Sequence, residues 1–205
     1  SVIAYFYRPR NSEGTMRPVI VYNRGSYVRM DIAPELLPMF HRLAIAGFSV
    51  VAPMYRGSDG GEGRDEMGGA DLNDLMNVRL LLNRLDSLDT RNVFLYGESR
   101  GGMMVFQAIR DGFDARAAAT VGAFTDLGEM TSSGPGMAMA KAIWPDFDER
   151  RSEIISRRSA IQWPERLGVP LLLMHGSRDG DVAPTQTFRL AIELAKAQAE
   201  FGVIV

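Results

Sequence analysis

The segment from Asn92 to Met104 restricts the fold more than any other stretch of the chain. It reads Asn-Val-Phe-Leu-Tyr-Gly-Glu-Ser-Arg-Gly-Gly-Met-Met: an apolar, strand-forming run, a serine between glycines in the pattern G-x-S-x-G, and then helix-forming residues. A strand that passes straight into a helix is the first half of a β-α-β unit, whose strands lie parallel in one sheet. The glycines let the backbone bend sharply and let the helix approach the strand closely. Ser99 is thereby lifted out of the sheet edge in front of a helix N-terminus, whose N–H groups favour negative charge. Both effects suit a nucleophile whose attack creates an oxyanion.

The rest of the chain continues the alternation. Strands are expected at Phe48 to Pro53, Ala117 to Gly122 and Val169 to His175, and helices at Pro34 to Gly47, Arg100 to Arg110 and Pro184 to about Phe201. A further helix starts near Asp71, placed as its N-cap, with Leu75, Val78, Leu82 and Leu85 along one face. Asp74 in that helix is positioned to pair with Arg56. The first two strands, Val2 to Arg8 and Val19 to Tyr22, are joined by Asn11-Ser-Glu-Gly14 without a helix and predict an antiparallel hairpin. From about 125 to 167 the alternation stops. A methionine-rich, glycine-containing stretch there is followed by the charged segment Asp146 to Arg158, and the whole reads as an inserted cap. Its Arg150, Arg151, Arg157 and Arg158 alternate with Glu149 and Glu153 as on a solvated helix face. The expectation is one α/β domain with a mostly parallel central sheet, an N-terminal antiparallel hairpin, helices on both faces and a small helical cap.

Composition narrows the chemistry. With 23 basic and 25 acidic residues the net charge is −2, which creates no field to gather nucleic acid. No apolar run approaches the roughly 18 residues a membrane span needs. The absence of cysteine excludes disulfides, a thiolate nucleophile and zinc sites built on sulfur. The acid- and glycine-rich stretch Ser58 to Asp65 lacks the spacing of a calcium loop, and no glycine loop has dinucleotide or phosphate-cradle spacing. No metal and no cofactor is expected. The chain opens at Ser1 and closes on Val203-Ile-Val, and both ends read as cut, so the compartment stays open: cytoplasmic by default, secreted or periplasmic as alternatives.

Two more segments end strands with chemistry-bearing residues. Val19 to Tyr27 closes on Asn-Arg-Gly-Ser-Tyr, a small-residue loop of the kind that donates a backbone N–H to an oxyanion; Gly25 or Ser26 would donate, together with Arg100 after the serine. Leu172 to Val182 delivers His-Gly-Ser-Arg-Asp-Gly-Asp-Val beyond a buried strand, where an acid can orient an imidazole; Asp179 is the first choice and Asp181 the second. Tyr27, Met130 and Trp144 are candidates to line a substrate pocket, the last two from the cap.

Taken in order, Tyr22–Ser26, Ala52–Gly57, Gly68–Asp74, Gly97–Gly102 and His175–Val182 resemble the α/β-hydrolase fold. More narrowly, they resemble the catalytic domain of the prolyl oligopeptidase family and the related dienelactone-hydrolase-like enzymes. The resemblance implies a serine hydrolase acting by acyl transfer without a cofactor, with Ser99 as nucleophile and Asp179 as acid. Its substrate would be a short peptide or a small ester, with a carboxylesterase or lactone hydrolase as the alternative to a peptidase. The family's histidine follows the last strand, which here is expected to begin only at Val203, so that histidine would lie beyond Val205. His175 reads as the family's H-G feature and His41 as a helix side chain at the edge of the core, and neither serves as general base. A protein that kept the fold and lost catalysis is the remaining alternative. The sequence does not indicate an oligomeric state.

Overall fold

Residues buried on both faces of a sheet read as unbroken apolar runs, and three apolar runs, two buried throughout and one buried at alternate residues, set the centre of this molecule. In the computed structural model, which describes residues 1–10, 14–26, 36–132 and 134–205, they lie in β2 (Arg17–Asn23), β3 (Ser49–Pro53) and β4 (Leu88–Glu98). With β1 (Ala4–Tyr7), β5 (Ala117–Val121), β6 (Leu171–Met174) and β7 (Phe201–Ile204) they form a seven-stranded sheet in the order β1-β3-β2-β4-β5-β6-β7. Every pairing is parallel except β1 with β3.

That exception corrects the expected hairpin. β1 is antiparallel, but its partner is β3, with Ala4 opposite Pro53 and Tyr7 opposite Val50. Both edges of β2 are occupied in parallel, by β3 and by β4, so β1 has only the outer edge of β3 to join. The connecting residues 11–13 lie outside the described residues.

Side chains alternate across the sheet with period two. Ile20, Tyr22, Val50 and Ala52 pack with Phe40 of α1 (Leu36–Ile45), while Val19, Val21, Val51, Val93 and Leu95 belong to the larger core on the other face. That core takes in α2 (Leu72–Met76), α3 (Val78–Leu82) and α4 (Arg100–Arg110). The single helix expected from Asp71 is in fact α2 and α3, separated at Asn77, although Leu72, Leu75, Val78 and Leu82 keep their shared buried face. Gly47, with φ of 103°, ends α1 as expected.

Between β5 and β6 stand α5 (Leu127–Met130), α6 (Gly134–Ile143) and α7 (Phe147–Arg158), the last broken at Arg150. The final helix, α8 (Thr185–Lys196), is shorter than expected. Gln198 turns the chain at φ of 56°, and Phe201 already pairs with Leu171. The last strand therefore starts at Phe201 instead of Val203 and is present across four pairs with β6. No helix among the described residues is long and apolar enough to cross a membrane.

Candidate active site

A single residue, Ser99, separates β4 from α4, and it carries the whole reversal of direction. Its φ of 50° and ψ of −118° lie where a side chain is rarely found, a conformation that costs about 1–3 kcal/mol and persists only when its surroundings enforce it. Here the Ser99 N–H donates to the Val121 carbonyl at 2.8 Å, and the Ser99 carbonyl accepts from Gly102 N–H at 3.0 Å. The surrounding glycines are steric necessities. A Cβ on Gly97 would strike the Gly101 carbonyl, one on Gly101 the Asn23 carbonyl, and one on Gly102 the side chain of Ala123. The first N–H groups of α4, starting with that of Arg100, have no acceptor within the helix and face the same region as Ser99.

The loop after β2 comes up against this turn. A Cβ on Gly25 would lie 3.4 Å from the Cβ of Ser99 and from the Glu98 carbonyl oxygen, so the loop backbone runs within van der Waals reach of the serine. Beneath the loop sit two buried guanidiniums. Arg24 donates to the carbonyls of Gly25 (3.0 Å), Ser26 (3.3 Å) and Met54 (3.1 Å) and to the Ser58 hydroxyl (2.8 Å). Arg100 donates to the Ser26 carbonyl at 3.0 Å, grips Asp65 with both terminal nitrogens and reaches Asp71 at 2.7 Å. Both cations stand over the Tyr55 ring, at 4.6 Å for Arg100 and 5.3 Å for Arg24. Tyr55 in turn donates to Asn23 Oδ1. Burial works against the charge on Arg100, but Asp65 and Asp71 outweigh it and hold the guanidinium above its ordinary range. Burial and then the neighbouring Arg100 push Arg24 the other way.

Asp71 was expected to cap α2, but its carboxylate makes no such bond. It is fully buried and instead accepts from the N–H groups of Gly68 and Gly69 and from Arg100, which organises the loop before the helix. The expected pair of Arg56 and Asp74 forms, bidentate, at 2.7 and 3.0 Å.

Asp179 lies on the other flank, in the loop after β6. Its Oδ1 accepts from the N–H groups of Asp181 (2.9 Å) and Val182 (3.0 Å), and the Val182 bond leads in holding the carboxyl below the usual carboxylate range. Its Oδ2 faces Gly122, where a Cβ would come within 3.0 Å. Gly122 directly follows Val121, the residue that accepts from Ser99 N–H, so Asp179 and Ser99 stand on either side of the end of β5. Asp181 is exposed and contributes its backbone.

Neither histidine is available as a base. His175 is buried; its Nε2 must donate to the Val182 carbonyl (2.9 Å), and its Nδ1 meets the Thr187 hydroxyl at 2.7 Å, so both ring nitrogens are committed. It stands 3.4 Å from Asp179 Oδ2 as a brace. His41 projects from α1 to the Tyr7 hydroxyl of β1, at the far edge of the sheet from β5 and β6. Among the described residues no group of three or more His, Asp or Glu could hold a metal ion.

Of the candidate pocket residues, Tyr27 lies outside the described residues. Met130 ends α5 and packs against the core. Trp144 stacks on Phe147, donates to the Glu66 carbonyl at 2.9 Å, and lines a cleft of about 650 Å³ with Arg64, Asn73, Arg150 and Arg158. That cleft shares no residue with the Ser99 turn, the Gly25–Ser26 loop or the Asp179 loop. Arg158 corrects the expectation of a solvated face. It is buried, donates to the carbonyls of Met67, Glu66 and Ile154, and is pushed down to about 10 by that burial. The ring of Arg24, Tyr55, Asp65 and Asp71 was not singled out from the sequence as site-forming. Arg24, Tyr55 and Asp71 fall inside motifs already noted and Asp65 closes the acid- and glycine-rich stretch, but nothing local marks their charges or hydroxyl as converging.

Comparison with known proteins bears on the fold and the family of the chain. The family model of the prolyl oligopeptidase family matches residues 38–205. An uncharacterized peptidase of Bacillus subtilis, YtmA, is 28% identical over 155 residues, 75% of this chain and 60% of that protein. Among solved structures, the Pyrococcus horikoshii acylaminoacyl peptidase superposes with a TM-score of 0.80 at 22% identity, covering 100% of this chain and 34% of that one. A puromycin-hydrolyzing peptidase of Mycobacterium tuberculosis gives 0.79 at 24%, covering 99% and 33%. A sugar hydrolase of Lactococcus lactis, YeeB, gives 0.73 at 17%, covering 100% and 78%. The chain thus spans about 60% of the curated relative it matches and about a third of each of these two peptidases. At these identities the superpositions speak for the α/β-hydrolase fold, whereas the family match, which runs from α1 through β7, decides membership: the chain belongs to the prolyl oligopeptidase family.

Proposed function

We propose that this domain is the catalytic part of a serine hydrolase that transfers an acyl group from a peptide or ester bond to water through Ser99. The observation that carries the reading is the strained Ser99 backbone, enforced by three glycines that no side chain could replace, at the N-terminus of α4. Strain of that kind is maintained where a reactive group must be presented.

In this reading Ser99 Oγ attacks the carbonyl carbon, and its proton passes to a histidine supplied by residues after Val205. Asp179 orients that imidazole through Oδ2, since its Oδ1 is engaged by two N–H groups. The oxyanion is held by the Arg100 N–H and by the Gly25–Ser26 loop. The histidine then returns the proton to the leaving group, and water, deprotonated by the same histidine, cleaves the acyl-enzyme. Short peptides are the favoured substrates, because the family match and the curated relative both carry the name peptidase. A carboxylesterase or lactone hydrolase is the competing assignment within the same chemistry.

A fluorophosphonate probe applied to the full-length protein tests the proposal. Labelling is expected at Ser99 and lost in Ser99→Ala, with turnover of a p-nitrophenyl ester or a peptide anilide falling by about a thousandfold or more. Labelling that survives the substitution removes Ser99 from the mechanism. Absence of both labelling and turnover in the wild-type protein identifies a binding protein on a hydrolase fold.

A further inference from the structure

An oxyanion site of this kind joins two backbone segments that are far apart in the chain, and the side chain of Arg100 spans the 74 residues between them. The loop partner does not set its own conformation: Gly25 lacks a side chain, and Ser26 sits at φ of 62°, a strained value that its surroundings must enforce. Misplacement of a reacting group by about 1 Å can cost about a hundredfold in rate, so something must fix this loop against the serine.

Burying two guanidiniums and two carboxylates is a poor way to gain stability, because well-packed apolar residues often do as well or better. The contacts show what the charges achieve instead. Arg24 and Arg100 together take the inward-facing carbonyls of Gly25 and Ser26. No peptide in the described chain is cis, so the Ser26 N–H points opposite to the Gly25 carbonyl and away from Arg24. The same Arg100 belongs to the first turn of α4, immediately after Ser99, and is locked in place by its two-pronged grip on Asp65 and its bond to Asp71. The quartet of Arg24, Arg100, Asp65 and Asp71 carries no net charge, so its contribution is geometric.

The geometry points to the Arg100 guanidinium as a positioning residue: it ties the Ser26 carbonyl to the nucleophile's own helix and so sets the distance between the two halves of the oxyanion site. This rests on the serine-hydrolase reading above. The residue after the nucleophile then acts twice, through its backbone N–H toward the oxyanion and through its side chain toward the loop that supplies the second donor.

Arg100→Lys in the full-length protein is the test, because lysine keeps the charge but gathers its donors on one nitrogen, where Arg100 uses two separate nitrogens to serve Ser26, Asp65 and Asp71 at once. Active serines are titrated with the fluorophosphonate, and kcat per titrated serine and KM are measured for a p-nitrophenyl ester. Expected is a loss of about 10- to 100-fold in kcat per titrated serine, with KM within about threefold and the rate of phosphonylation falling in parallel. A merely structural role would lower the number of titratable serines and leave kcat per serine unchanged, and that result overturns the inference. Should Arg100→Lys fail to fold cooperatively, Asp65→Asn keeps both guanidiniums and loosens the grip. It is then expected to lower kcat per serine by about threefold or more, and an unchanged value overturns the inference equally. A wild-type protein that takes no label at Ser99 fails the serine-hydrolase reading and this inference with it; a labelled wild type beside unaffected variants fails the inference alone.

Discussion

The two flanks of Ser99 are held by opposite means. On the side of Gly25 and Ser26, two buried guanidiniums and two carboxylates converge around Tyr55, and the loop hangs from them by its carbonyls. On the side of Asp179, a half-exposed loop is held by backbone N–H groups and by His175, which both its neighbours already occupy. In the proposed mechanism the difference follows from what each flank must present. A loop that offers N–H groups to the site must turn its carbonyls inward, and inward carbonyls need strong buried donors. A carboxylate meant to steer an imidazole must not be claimed by a cation, so it is tethered through one oxygen by neutral donors.

The contrast is broken most directly at Asp71. Asp71→Asn removes charge from a carboxylate with no exposure, leaving Arg100 partly uncompensated and an amide NH2 group facing donors. A loss of about 3–5 kcal/mol is expected, since breaking a buried pair leaves a buried charge. Urea unfolding of wild type and variant measures it. A loss under about 1 kcal/mol would mean that the charged flank is no more dependent on its ions than an exposed pair.

A second variant tests how far that flank extends. Trp144 of the cap and Arg158 of α7 both donate to the Glu66 carbonyl, in the same loop as Asp65 and Asp71. Trp144→Phe deletes one of those bonds and some buried ring, and about 1–3 kcal/mol is expected from the same measurement. Coupling between Trp144→Phe and Asp65→Asn in a double-mutant cycle would show that the cap and the ion network act as one unit, and additive effects would separate them.

What could be foreseen from the sequence divides along the same line as the flanks. The Ser99 turn and the Asp179 loop are each written within about ten consecutive residues, and the Arg56–Asp74 pair joins two recognisable motifs. The ion network draws on residues 24, 65, 71 and 100 around the neutral ring of Tyr55, and its charges are individually indistinguishable from solvated ones until the sheet brings their loops together. Arg158 is illegible in the sequence for the same reason: its alternation with acids suits a solvent face, yet its burial depends on carbonyls more than 90 residues away. The partner of β1 was missed because a short connection favours a hairpin locally, while the competition for the edges of β2 is a property of the whole sheet.

On the other flank smaller effects are expected. Gly122 combines φ of 55° with the close approach of Asp179 Oδ2, so Gly122→Ala brings strain of about 1–2 kcal/mol and displaces the carboxylate. Loss of activity larger than the loss of stability would show that the carboxylate's place matters beyond folding.

Asp179→Asn is expected to change stability least and to separate the flanks most cleanly. The Asp181 and Val182 N–H groups can still donate to the asparagine carbonyl oxygen, so the loop keeps its tether while turnover falls steeply. The acid limb of stability gives a second readout. The folded carboxyl titrates below its unfolded value of about 3.9, so its contribution is present above that pH and is lost as pH falls through the lower folded value. Urea midpoints taken from about pH 5 downward should therefore fall less steeply in Asp179→Asn than in wild type. Identical slopes would show that the tether does not favour the ionised form, and Asp179 would then resemble an ordinary loop acid instead of a carboxylate held ready for an imidazole.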